Sequence, residues 1–100
     1  MIGVNGARGE AVVLLAGVER RVCLTLGALA EIETALGVQG VAGLAQRMRA
    51  LSASDLMAVL AALLRGGGEG ALADELDRAT VSPVEAAGAV ALAFAAAADG

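Results

Sequence analysis

The sequence predicts an α+β fold that is mostly α, with an N-terminal β-hairpin followed by about five short helices in a compact bundle. Three observations predict this class. Apolar and polar residues alternate with a period of two near the start of the chain. From Leu26 onward, apolar residues instead recur every three or four positions. Ser52 and Ser82 are each followed three residues later by an acid, a pattern that marks helix starts.

The hairpin is predicted over Glu10 to Leu26. An apolar run, Val12 to Leu15, precedes Ala16-Gly17, and strict alternation follows the turn. Gly17 can adopt the positive φ that a short hairpin turn requires. A lone hairpin is only marginally stable in water, so we expect this one to pack on the helices that follow.

The first two helices are predicted from apolar stripes. Thr25 is the expected N-cap of the first helix, and Gly37 suits the left-handed position after its end. The stripe of the first helix is Leu26, Leu29, Ile32 and Leu36. The stripe of the second is Val41, Leu44, Ala45, Met48 and Leu51.

Three further helices complete the prediction. The third begins with the capping pair Ser52 and Asp55, buries Leu56, Val59, Leu60, Leu63 and Leu64, and ends at a run of three glycines. These glycines open a flexible link through Gly70. A shorter helix is expected over Ala71 to Ala79. The final helix begins at Ser82-Pro83-Val84-Glu85, with serine as the cap and proline at the first helical position, and runs to about Ala98.

The chain length bounds the domain organisation. One hundred residues make one domain or less. Residues 1–9 hold three glycines and no periodic pattern, and they are predicted to be a flexible arm. Residues 10–98 are predicted to form a single hairpin-plus-helices domain.

The composition excludes several classes of function. The chain has no histidine and a single cysteine, which excludes histidine catalysis, histidine-ligated metals and cysteine zinc clusters. Its only aromatic residue is Phe94, so a base-stacking surface is not expected. A net charge of −4 argues against nucleic acid and anionic membranes as partners, because phosphate binding requires clustered cations.

No residue cluster predicts catalysis, a metal site or a cofactor. Glu31 and Glu33 point in different directions on a helix, and the acids near Asp74 lack the spacing of a calcium loop. The glycine run is not followed by the lysine of a phosphate-binding loop. Cys23 has no histidine to activate it. We therefore assign no catalytic, cofactor-binding or metal residue, and we expect the protein not to be an enzyme.

Arginines and methionines allow two interpretations each. The clusters at Arg20-Arg21 and at Arg47 and Arg49 are either solvated or form the rim of a protein interface. Met48 and Met57 are either core residues or part of an adaptable binding patch. Because alanine and glycine bury little area, we expect a monomer stability of about 5 kcal/mol or less, which favours oligomerisation or partner binding.

The apolar stretches are too short to cross a membrane. The longest, Ala86 to Ala98, falls below the roughly 20 residues of a spanning helix. A single cysteine fits a reducing compartment. We therefore expect a cytoplasmic protein with no membrane partner.

Three runs, in this order, resemble the small tail-cluster protein of gene transfer agents, a relative of phage tail assembly chaperones. They are Leu24–Glu33 (LTLGALAEIE), Leu60–Gly67 (LAALLRGG) and Ser82–Ala87 (SPVEAA), and the resemblance covers roughly residues 9 to 98. It implies a non-enzymatic role in building a phage-like tail, and it gives a place in a phage-like particle as the alternative to a cytoplasmic location. Tail assembly chaperones coat the tape measure protein and bring tube subunits to it. Some descriptions call this family a tail tube protein.

The resemblance leaves three hypotheses. The first is a tail assembly chaperone that binds the tape measure protein, the major tail protein or both, with a homo-oligomer also possible. The second is a structural tube component, although a tube subunit normally needs more strand than one hairpin to close a β ring. The third is an unrelated helical regulatory module. For a chaperone, we expect the partner groove to be lined by Leu29, Ile32 and Leu36 or by Val41, Leu44 and Met48.

Overall fold

The computed structural model of the chain describes residues 10–99, and within them it leaves the side chains of Val41 and Asp99 undescribed. The predicted arm, residues 1–9, lies outside this part. Strands β1 (Glu10–Leu15) and β2 (Val18–Cys23) form an antiparallel hairpin. Ala16 and Gly17 both have positive φ, 54° and 82°, which defines a type I′ turn. The predicted hairpin and its turn are therefore confirmed.

The register fixes which backbone groups face out of the hairpin. Leu15 pairs with Val18 across the two-residue turn, so their N–H and C=O groups bond to each other. Hydrogen-bonded pairs alternate along an antiparallel ladder. The backbone groups that face outward are therefore those of Glu10, Val12 and Leu14 on β1 and of Glu19, Arg21 and Cys23 on β2.

Five α-helices and one 3₁₀ turn follow the hairpin in the described part of the chain. They are α1 (Leu26–Leu36), α2 (Gly40–Arg47), α3 (Ala53–Gly66), α4 (Gly70–Asp74), the 3₁₀ turn Leu76–Arg78 and α5 (Pro83–Asp99). This order confirms the predicted mostly α, α+β class. The helix expected over Ala71 to Ala79 is split into α4 and the 3₁₀ turn.

The predicted caps are present at three helix starts. The Thr25 hydroxyl accepts a hydrogen bond from the Ala28 N–H. Ser52 and Asp55 bond reciprocally at the start of α3. At the start of α5, Glu85 N–H donates to the Ser82 hydroxyl, and Ser82 N–H donates to the Glu85 carboxylate. These side chains satisfy N–H groups that the first helical turn leaves without partners.

Helix α3 is the centre of the core. It packs against α1, α4, α5 and β2, and its residues Val59, Leu60, Ala62, Leu63 and Leu64 are buried. The hairpin contributes Val13, Leu15 and Val22 to the same apolar cluster. Helix α3 lies mainly against β2, whereas α5 lies mainly against β1. The two helices therefore cover one face of the hairpin.

The predicted stripe of α1 is wrong at Leu26, which is 83% exposed. The buried residues of α1 are Ala28, Ile32 and Leu36. At about 100° per residue, Leu26 lies roughly 120° from Ile32 around the helix axis. The helix therefore turns Leu26 to solvent, while Leu29, about 60° from Ile32, is half-buried.

The predicted stripe of the second helix also changes. Helix α2 ends at Arg47, so Met48 is its C-cap and Leu51 lies beyond the helix. Met48 and Leu51 still pack against the core, although Ala45 is exposed. Helix α2 ends early because helix α3 starts soon after it, with Ser52 as its N-cap.

The predicted flexible link is wrong at Gly66 and Gly67. A Cβ on Gly66 would lie 2.2 Å from the carbonyl oxygen of Cys23. A Cβ on Gly67 would lie 2.2 Å from the carbonyl oxygen of Arg21. These glycines let the end of α3 pack directly on the outward backbone of β2, at a distance that no side chain permits.

Candidate partner-binding surfaces

The six predicted partner-binding residues lie in or beside the core. Ile32, Leu36 and Leu44 are buried, and Leu29 and Met48 are half-buried against them. The side chain of Val41 is not described. Access to the buried members from outside would require α1 or α2 to move. Their role in partner binding stays a prediction.

A separate apolar groove is open at the surface between α3, the 3₁₀ turn and α5. Its volume is about 250 Å³. Its apolar lining residues are Ala53, Leu56, Met57, Leu60, Leu76, Ala79, Val81, Pro83 and Ala86. Asp77 is its one charged residue. The groove is smaller than the 300–1,000 Å³ typical of small-molecule pockets, and it suits apolar side chains of a docked protein segment.

The two capping boxes shape this groove. They set where α3 and α5 begin, and Ala53, Ser82 and Pro83 at these starts line the groove. Met57, in the second turn of α3, is 37% exposed at the groove. The alternative interpretation of Met57 as part of a binding patch is the one signal for the groove in the sequence. The open space between α3 and α5 has no signal there.

The arginines connect elements of the fold. Arg20 pairs with Glu69 at 3.1 Å, and Arg47 pairs with Asp55 at 2.8 Å. Arg65 pairs with both Glu31 and Asp74. Arg20 and Arg47 therefore hold elements of the fold together, and a role of the arginines at the rim of a protein interface stays a prediction.

Glu69 covers the outer edge of β2. One carboxylate oxygen accepts a hydrogen bond from the Arg20 guanidinium, and the other accepts one from the outward N–H of Arg21, each at 3.1 Å. The Arg21 N–H bond, followed by the Arg20 guanidinium, holds the pKa of Glu69 below its ordinary value. The β2 edge is therefore closed by Glu69 together with the packed glycines.

The outer edge of β1 differs. Among residues 10–99, no hydrogen bond satisfies the outward N–H or C=O groups of Val12 and Leu14. Their side chains are 59% and 62% exposed, respectively. The hairpin therefore presents one closed edge and one open edge within the described part of the chain.

Titratable chemistry is sparse in residues 10–99. No group of three or more His, Cys, Asp or Glu residues lies close enough together there to hold a metal ion. The Cys23 thiol is buried, and burial raises its pKa, with a smaller contribution from Glu10. Across the same residues, none of the helices has the length and apolar character needed to span a bilayer.

Comparison with known proteins identifies the family. Residues 8–100 match the family described as "Phage tail tube protein, GTA-gp10". No curated protein and no solved structure matches the chain. The family match replaces the interpretation as an unrelated regulatory module and supports a role in building a phage-type tail. Because the match spans nearly the whole sequence, the chain belongs to the phage tail tube protein family of gene transfer agents, a family of tail proteins and not of enzymes.

Proposed function

We propose that the protein acts as a tail assembly chaperone, binding the tape measure protein during tail construction without forming the tube wall. Family membership gives the broader role in tail building. The chaperone role is the finer step, and it rests on one structural feature, the two unlike edges of the hairpin.

A β ring needs two usable edges on each subunit, because each subunit pairs with a neighbour on either side. In this hairpin, Gly66, Gly67 and Glu69 occupy the outer edge of β2. Only the β1 edge is left for pairing in the described domain. A subunit with one usable edge can pair with only one neighbouring subunit, so the sheet cannot continue around a ring. This favours a role outside the tube wall.

The groove between α3 and α5 supplies a surface for the partner. A tape measure helix exposes apolar stripes until the tube encloses it, and such a stripe is bound by laying it into an apolar groove. Met57 and Leu56 lie at this groove, which has a single acidic residue, Asp77. The surface predicted from α1 and α2 is the alternative, and it would require the buried Ile32 to become accessible.

The structural alternative is a tube component that stays in the finished particle, and the family description favours it. The two functions differ in stoichiometry. We would quantify the chain and the major tail protein in purified particles by mass spectrometry, with the producing cells as reference. The chaperone role predicts abundance in cells and near absence from particles. A constant ratio of this chain to the tube subunit in particles would overturn it.

The groove is tested by co-expression with a tape measure protein of a gene transfer agent, followed by pull-down. Met57→Glu places a charge at the groove on a side chain that is already partly exposed, so folding should be retained. We expect at least a tenfold loss of affinity, which corresponds to about 1.4 kcal/mol. The matched control is Leu26→Glu at the exposed start of α1, and this variant should bind normally. Equal binding by both variants would exclude the groove.

A further inference from the structure

We propose that the open edge of β1 binds an extended segment of another protein by strand addition. The segment would pair with the outward backbone groups of β1 and would carry apolar side chains at alternate positions. This site is separate from the groove between α3 and α5, and the inference does not depend on the chaperone role.

The backbone chemistry of the edge specifies a strand. Val12 and Leu14 direct both N–H and C=O groups out of the hairpin, and no other described residue bonds to them. These groups repeat every second residue, with the spacing of a β ladder. An extended backbone satisfies such a row, whereas a helix keeps its own backbone groups bonded internally.

The side chains on this edge favour an apolar partner. Val12 and Leu14 lie on the face of the hairpin turned away from α3 and α5, and both are more than half exposed. Side chains directly opposite each other in neighbouring strands lie about 4.5–5.5 Å apart. Apolar residues of an added strand would therefore cover Val12 and Leu14.

Helix α5 provides the other face of the site. It lies mainly against β1, and from Ala86 to Ala98 it contains no charged residue. The alternate side chains of an added strand would point toward the helix side of the sheet. Beside α5, they would meet alanine, leucine and phenylalanine side chains without burying a charge.

The position of α5 against β1 argues against a second copy as the occupant. Pairing two β1 edges about a two-fold axis would place the strands about 4.8 Å apart, with both copies of α5 on the same face. Packed helices need axes about 8–10 Å apart. Because α5 lies over β1 in each copy, the two helices would collide. A segment from another chain, with no helix above it, avoids this collision.

Charge on the outer face defines the partner further. Glu10 and Glu19 flank Val12 and Leu14 on this face, and Arg21 is the one basic residue opposite them. Arg21 reaches Glu10 at 4.0 Å, and both side chains remain partly exposed. Glu19 has no ion pair with a described residue. A lysine or arginine two residues from the apolar positions, and so on the same face of the segment, would complement this acidic surplus.

The test uses a soluble synthetic peptide as the probe, with valines opposite Val12 and Leu14, a lysine two residues to either side on the same face, and threonines at the positions between them. The isotope-labelled full chain is titrated with the peptide, and amide hydrogen exchange is followed by NMR. We expect exchange at Val12 and Leu14 to slow at least tenfold when the peptide is at saturating concentration. A control peptide with N-methylated amides cannot form the ladder and should leave exchange unchanged.

Variants test the edge itself. Val12→Pro removes one outward donor without breaking the pairing of β1 with β2, and it should abolish the effect of the peptide. Leu14→Lys should weaken peptide binding at least tenfold, whereas the control Leu26→Lys should bind normally. Circular dichroism checks that each variant is folded.

Three results would overturn the proposal. The first is unchanged exchange at Val12 and Leu14 with millimolar peptide, and the second is full peptide binding by folded Val12→Pro. The third is protection of these amides before peptide is added, which would mean that this chain or a second copy already covers the edge. None of these results bears on tape measure binding at the groove, which the pull-down with Met57→Glu tests separately.

Discussion

The outer edges of β1 and β2 carry the same backbone groups but have different surroundings. The β2 edge meets Gly66 and Gly67 at distances that leave no room for a side chain, and Glu69 accepts its Arg21 N–H. The β1 edge has no such cover among residues 10–99, and it presents Val12 and Leu14 to solvent. An unprotected edge is a usual route to unwanted association. Because one edge is closed and the other is open, the hairpin can be extended by only one added strand.

The largest expected effect comes from filling the closed edge. Gly67→Ala places a Cβ 2.2 Å from the Arg21 carbonyl oxygen, so the end of α3 must move away from β2. We expect a loss of about 2–3 kcal/mol in the free energy of unfolding, measured by urea denaturation. The control Gly70→Ala meets nothing within 4 Å, and it should be neutral or slightly stabilising. Equal stability of the two variants would mean that the edge is not tightly packed.

Proline substitutions at Val12 and Arg21 compare how much the outward N–H group of each edge contributes to stability. Val12 and Arg21 are cross-strand partners, and both direct their N–H groups outward. Arg21→Pro removes the donor to Glu69, and we expect it to cost about 1–2 kcal/mol more than Val12→Pro. Arg21→Ala isolates the contribution of the side chain. Equal losses in the two proline variants would show that the edges are energetically alike.

A smaller effect is expected from Glu69→Gln. The amide retains the size of the side chain but loses the charge-assisted bonds to the Arg20 guanidinium and the Arg21 N–H. We expect a loss of about 1 kcal/mol by chemical denaturation. Glu19→Gln, on the exposed side of the same hairpin, should change stability by less than about 0.5 kcal/mol. If the two substitutions have the same effect, Glu69 does not hold the edge.

The smallest effect concerns pH. The pKa values of Glu69 and Asp55 are both lowered in the folded chain, chiefly by backbone N–H donors. Their stabilisation is present above the unfolded pKa and is lost as pH falls through the folded pKa. The free energy of unfolding should therefore decrease below about pH 5, and Glu69→Gln should make that decrease shallower. An unchanged slope in this variant would contradict the role given to Glu69.

Sequence pattern predicted the local features of the fold. Thr25, Ser52 and Ser82 cap helices as expected, because capping depends on residues within three positions of each other. The turn at Gly17 followed from the same kind of short-range rule. The predicted burial of Leu26 was wrong because the predicted stripe, Leu26, Leu29, Ile32 and Leu36, extends beyond the face that α1 buries.

The functional surfaces depend on contacts between distant residues. Gly66 and Gly67 resemble a flexible link in the sequence, and only their position against Arg21 and Cys23 shows them to be packing residues. Glu69 and Arg20 are 49 residues apart, and no local pattern pairs them. The open groove at Met57 likewise depends on the spacing between α3 and α5, which helical periodicity does not determine.

Native-state amide hydrogen exchange of the free chain tests the central claim most directly, since that claim is one closed and one open edge on the same hairpin. The amide of Arg21, bonded to Glu69, should exchange at least about 100-fold more slowly than it does in an unfolded peptide. The amides of Val12 and Leu14 should exchange nearly as fast as in an unfolded peptide. Equal protection of Arg21, Val12 and Leu14 would contradict the account.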